Sequence, residues 1–198
     1  MLLLRGSSFE EFIHWYLARE SWKRKQELDL SGRSWRSLLS EMRRLHPDKL
    51  RSWFERARWS IVSLDAIGDA MSLVLLDDPE VRRNGLVSGA GPDNRLARAV
   101  VAAAHDTRYF DNKEVARRNA VEGHYRQERI EAYRKSWPQL SGGERLAICD
   151  LNADEKAGNP GGSYYLHDGF GRLLAYLYAI TYEGHHYCPI EAFLAEEN

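Results

Sequence analysis

Ser163-Tyr164-Tyr165-Leu166-His167-Asp168-Gly169-Phe170-Gly171-Arg172-Leu173-Leu174-Ala175-Tyr176 is the stretch on which the reading of this chain turns. Its first half alternates and is rich in aromatic residues, the pattern of a β-strand, and it stops at Asp168-Gly169. An apolar helical pattern begins at once and carries Arg172 in its first turn. A strand that bends through glycine into a helix leaves the first-turn N–H groups without intrahelical partners. Glycine lets the backbone approach a ligand closely, and arginine adds a planar fork of donors. These are the ingredients of an anion site, most naturally for phosphate. Gly169, Phe170, Gly171 and Arg172 are the expected binding residues.

Around this stretch the pattern continues on both sides. Upstream, Arg145–Leu151 reads as a strand, and Asn152–Gly162 is a polar, glycine-rich loop. Downstream, the helix is expected to run from Phe170 to about Tyr182, Gly184 to end it, and a last strand to cover Tyr187–Leu194. Earlier in the chain, Trp59–Leu64 is strand-like, Asp65 can cap a single helical turn, and Leu73–Leu76 is a second apolar strand candidate. Asp78-Pro79-Glu80 opens a short helix, and Leu86–Pro92 is a glycine-rich loop. Asp93 caps an alanine- and valine-rich helix over Leu96–Ala104, and Asp111 to about Lys135 is charged and helical.

The first 58 residues read as a helical subdomain. Ser8 with Glu11 forms a capping box opening a helix from Phe9 to about Leu28, whose apolar face is Phe9, Phe12, Ile13, Tyr16 and Leu17. Trp35, Leu38, Leu39 and Met42 mark a second helix. Pro47-Asp48 opens a third, carrying Leu50, Trp53 and Phe54. Residues 59–198 then form a core with a helical insertion over about 93–136. The order of elements predicts an α+β (mixed) fold with a small mixed sheet.

Composition bounds the function only loosely. The chain has 198 residues, 43% hydrophobic and 29% charged, with a formal net charge of -1. That balance supports a packed core and gives no global attraction to nucleic acid or an anionic membrane. Positive charge is concentrated before Trp59, where Arg33, Arg36, Arg43 and Arg44 could face nucleic acid. Two cysteines, Cys149 and Cys188, are too few for a disulfide framework and read as small hydrophobes. No run is long enough to span a bilayer, and the expectation is a cytoplasmic protein.

The C-terminal block resembles the ParB/sulfiredoxin-like superfamily. The likeness is carried by Tyr164-Tyr165-Leu166-His167-Asp168-Gly169-Phe170-Gly171-Arg172-Leu173-Leu174-Ala175, then Gly184, then Cys188-Pro189-Ile190-Glu191. The resemblance implies a ParB/sulfiredoxin-like core and a turn that binds nucleotide phosphates, with ATP, ADP or CTP as cofactor; Mg2+ is a further candidate cofactor, on the acidic residues near the turn. Gly171 departs from the family, which commonly has histidine or arginine there. Asp168–Arg172 is also similar to part of the Fic AMP-transferase motif. Fic proteins, however, need a histidine where this chain has Tyr164, and they are all-helical.

Three residues are candidates for catalysis. Asp168 could orient Arg172, hold a metal or act as a base, and aspartate is also a favoured helix N-cap. Asp150, at a strand end, could serve a magnesium ion or a nucleophile. Glu144, Asp154 and Glu155 flank the same loop. His167 ends the strand on the opposite face from Asp168. His185-His186 with Cys188 lacks the paired spacing of a zinc site, and His105-Asp106 lacks the further ligands of a metal-dependent phosphohydrolase. The expected function is therefore nucleotide or phosphoester binding, with phosphoryl or nucleotidyl transfer as its enzymatic form. The alternative is a non-catalytic DNA-binding or protein-interaction module.

Overall fold

The computed structural model describes residues 1–24, 28–76, 95–105, 145–152 and 164–197. The fold is α+β. Strands β1 (Leu2–Ser7), β2 (Arg58–Leu64), β3 (Leu146–Asp150), β4 (Tyr164–Asp168) and β5 (Ile190–Glu196) form one mixed sheet in the order β1-β2-β5-β3-β4. β3 and β5 run parallel, and every other neighbouring pair is antiparallel. The described helices are α1 (Phe9–Arg24), α2 (Trp35–Leu45), α3 (Ile67–Met71), α4 (Leu96–His105) and α5 (Phe170–Tyr182).

Side chains alternate across a strand, so a sheet buried on both sides must be apolar in both registers. β2, β3 and β5 meet that demand. On one face Val62, Leu64, Leu146, Ile148, Ala192 and Leu194 pack with α3, α4 and α5. On the other, Trp59, Ile61, Ala147, Cys149, Phe193 and Ala195 pack with α1 and α2. The second face is dominated by rings. Phe12 stacks on Trp59 at 4.6 Å, and Trp59 Nε1 donates to the Phe54 carbonyl at 3.0 Å. The first 58 residues thus supply one strand and two helices to a core shared with the sheet.

Several sequence expectations need adjustment. β1 has no counterpart among the sequence expectations, because six residues with a glycine inside carry little periodic signal; it exists through pairing with β2. The third helix of the N-terminal segment shrinks to a 3-10 turn at Pro47–Lys49, after which Trp53 and Phe54 enter the core from turns. Leu73–Leu76 makes no strand of its own. Val74 alone bridges, donating to the Tyr164 carbonyl at 3.1 Å and accepting from Leu166 N–H at 2.9 Å. Cys149 is buried in β3 as expected, whereas Cys188 is exposed before β5. The helices expected at Asp78 and over Asp111–Lys135, and the loops Leu86–Pro92 and most of Asn152–Gly162, lie outside the described residues.

The bend from β4 into α5 is as anticipated. Gly169 is the N-cap of α5 and has φ +105, a conformation that side-chain-bearing residues rarely adopt. A methyl group there would overlap the Leu146 side chain and lie 3.1 Å from Arg172 Nη2. Gly169→Ala should lower stability by at least about 1–3 kcal/mol from backbone strain alone. Urea unfolding checks this, and a loss below about 0.5 kcal/mol would show the turn relaxing freely.

Candidate functional site

The glycine turn sits where the two helical layers meet the end of β4. Asp168 Oδ2 accepts from Arg172 Nη2, one turn into α5, at 2.9 Å, and from Arg19 Nη1 of α1. One carboxylate thus joins helices from opposite faces of the sheet. All three side chains are secluded, with exposures of 5% for Arg19, 10% for Asp168 and 7% for Arg172. Burial works against the charge on Arg19, but the charge and hydrogen bond of Asp168 more than reverse this, and the guanidinium stays protonated.

The network continues along α1 and into the chain after α2. Arg19 also lies 3.4 Å from Glu20 Oε1, and Glu20 Oε2 is 3.1 Å from His46 Nε2. The Arg19 guanidinium lies about 5 Å from the ring centroids of Trp15 and Tyr16. Neither Arg19 nor Glu20 belongs to a motif in the sequence. The available signal was Glu20 falling on the same helical stripe as Phe9, Phe12, Ile13, Tyr16 and Leu17. A charge on an apolar stripe marks a buried partner.

The four expected binding residues divide by environment. Phe170 is buried in the apolar core, and Arg172 turns back onto Asp168 rather than outward. Gly169 makes the bend. Gly171 is half-buried, and among the described residues nothing lies within 4 Å of where a Cβ would sit. No described side chain caps α5. The first turn of α5 therefore combines an uncapped N-terminus with open space at Gly171 and a fixed ion pair behind it.

The catalytic candidates do not converge on this turn. Asp150 pairs with Tyr164 and Ala147 with Asp168, so the two aspartates stand at opposite ends of the β3–β4 ladder. Four residues of strand separate them by about 13 Å. Asp150 Oδ1 instead accepts from the Asn152 N–H at 2.9 Å, closing a local turn. His167 is buried on the α1–α2 face, against Phe54 and Tyr165, with Nε2 2.9 Å from the Lys49 carbonyl. Burial, helped by the charges of Lys49 and Arg51, pushes its pKa down to about 4. It is neutral near pH 7, with Nε2–H donating to Lys49.

The other candidates are also placed. Arg43 pairs with Glu55 at 2.8 Å, Arg44 with Glu41 at 2.5 Å, and Arg33 with Glu41 at 3.8 Å, while Arg36 lies over Trp35. His185 and His186 are exposed, and the described residues contain no group of three metal-ligating side chains. No described helix is long and apolar enough to cross a membrane. Glu144, Asp154, Glu155 and Asp106 lie outside the described residues.

His167 yields a pH prediction. Between about pH 4 and 6.5 the unfolded chain binds a proton at this histidine that the folded chain refuses. Stability should therefore fall as pH drops from about 6.5 to about 4, by up to about 1.4 kcal/mol per pH unit from this group. His167→Gln can keep the bond to Lys49 but not the titration, and should flatten the profile in that window. Equal slopes for the two proteins would place the effect elsewhere.

No protein-family model, curated protein or solved structure matches this chain.

Proposed function

We propose that the Asp168–Arg172 turn binds the phosphate of a nucleotide or phosphoester, on a core of ParB/sulfiredoxin-like architecture. The observation that carries this reading is the start of α5, which no described side chain caps, beside a space at Gly171 that no described residue fills. Backbone N–H groups at a helix start, with the positive end of the helix dipole behind them, suit a phosphate without any further basic residue. Arg172 and Arg19 then act through Asp168, holding the turn rigid. The strand, glycine turn, helix and Pro189-led strand keep the order that the family resemblance implies. ATP, ADP and CTP are the nucleotides to test, with Mg2+ accompanying the di- and triphosphates.

The geometry favours binding over catalysis. A phosphoryl or nucleotidyl transferase would use Asp168 or Asp150 on magnesium or a nucleophile, and His167 as a proton carrier. The distance of Asp150 from the turn and the burial of His167 leave that form with less support. A DNA-binding module is the second reading. Arg36 on the exposed side of Trp35 favours it, but the acidic neighbours of Arg33, Arg43 and Arg44 weaken it.

Gly171→Asp separates binding from folding. The added carboxylate enters open space at a helix start, where an acid is tolerated or mildly stabilising. It also occupies the place of the ligand's negative charge. Calorimetric titration with ATP, ADP and CTP in the presence of magnesium should show binding by the natural chain. The variant should weaken it at least about tenfold, or 1.4 kcal/mol, with the melting temperature retained. Absence of binding to all three, or unchanged affinity in the variant, contradicts the proposal.

A further inference from the structure

A cleft of about 380 Å³ opens between α1 and the first residues of β3 and β5, lined chiefly by Glu10, Glu11, His14, Trp15, Arg145 and Phe193. That volume lies within the range of small-molecule sites. One side of the cleft is flat and apolar. Trp15 packs on Phe193 with ring centroids 5.1 Å apart, and the Arg145 guanidinium lies over the Phe193 ring at 5.6 Å. Glu191 Oε2 accepts from Arg145 Nε at 2.8 Å and lies 2.8 Å from Nη2, which fixes the guanidinium plane. Aromatic rings and guanidinium planes are the surfaces on which nucleic-acid bases stack. The other side is polar. Glu10 and His14 stand on consecutive turns of α1, exposed and without a partner among the described residues. Glu11 is already bonded to Arg5 and Ser7. The unpaired Glu10 carboxylate repels a phosphate but accepts from hydroxyl or amino groups, so the cleft suits the uncharged end of a ligand.

The cleft adjoins the glycine turn. Leu146, next after Arg145, lies against Gly169, and Ala147 pairs with Asp168. Arg145 therefore stands about 7 Å along the strand from the residue opposite Asp168. Trp15 reaches the same turn through Arg19, which lies over its ring and donates to Asp168. We propose that this cleft holds the base and sugar of a nucleotide whose phosphates sit at the Asp168–Arg172 turn. That placement rests on the turn binding phosphate, and it narrows the ligand from any phosphoester to a nucleotide. The base stacks on Arg145 and Trp15, and the sugar hydroxyls reach Glu10 and His14.

Calorimetric titration of the full chain with magnesium compares ATP and CTP with tripolyphosphate, and ADP with pyrophosphate. The polyphosphates carry the charge without base or sugar. At least one nucleotide should bind at least about tenfold more tightly than its polyphosphate. Arg145→Met keeps an apolar stem over Phe193 but removes the guanidinium plane. Glu10→Ala combined with His14→Ala changes exposed residues only. Each of these variants should weaken that nucleotide at least about fivefold, with polyphosphate binding and the melting temperature unchanged. A nucleotide held no more tightly than its polyphosphate, or one indifferent to both variants, overturns the cleft and leaves the turn standing. Binding of neither nucleotides nor polyphosphates overturns the cleft and the turn together.

Discussion

One carboxylate, Asp168, holds two arginines that come from opposite sides of a sheet. Arg19 reaches it from the α1–α2 layer and Arg172 from the layer of α5. Charges this secluded are costly unless paired, and removing one partner of a buried pair commonly costs about 3–5 kcal/mol. The ring-rich core of Phe12, Phe54, Trp59 and Phe193 supplies apolar burial but little orientation. The ion cluster adds a directional tie at the place where β4 bends through Gly169. The positive φ of that glycine, the start of α5 and the position of α1 are all adjusted to one another through it.

That constraint shapes the functional reading. An arginine aimed at solvent beside a glycine turn would be a direct phosphate clamp. An arginine committed to the neighbouring aspartate positions the turn instead, and in the proposed reading the ligand contact falls to the backbone N–H groups near Gly171. Secluded His167 and distant Asp150 belong to other parts of the architecture: one supports the turn at Pro47–Lys49, the other closes the turn after β3. The proposed phosphate contact at the start of α5 involves neither of them.

Much of the fold was legible in the residues, for reasons that can be named. Tyr164–His167 alternates and Phe170–Tyr182 has an apolar helical repeat, so strand, turn and helix were readable from period alone. Trp59–Leu64 was equally plain. β1 was not, because Leu2–Ser7 depends on β2 for its conformation and buries almost nothing itself. Pro47–Phe54 carries apolar residues at helical spacing, but only Pro47–Lys49 coils, and Trp53 and Phe54 reach the core from turns. The site was half legible. Local spacing revealed the glycine turn, while the partner of Asp168 sits 149 positions earlier in the chain. No local pattern encodes that pairing.

The tie at Asp168 is tested most directly by a double-mutant cycle in urea unfolding, using Arg19→Met, Arg172→Met and the pair together. Either arginine alone still satisfies the carboxylate, whereas losing both leaves it buried without its guanidinium partners. The double variant should therefore lose more than the sum of the single losses, by about 0.5–3 kcal/mol. Losses that add to within about 0.5 kcal/mol would mean that the two arginines act independently, and that Asp168 does not join the layers.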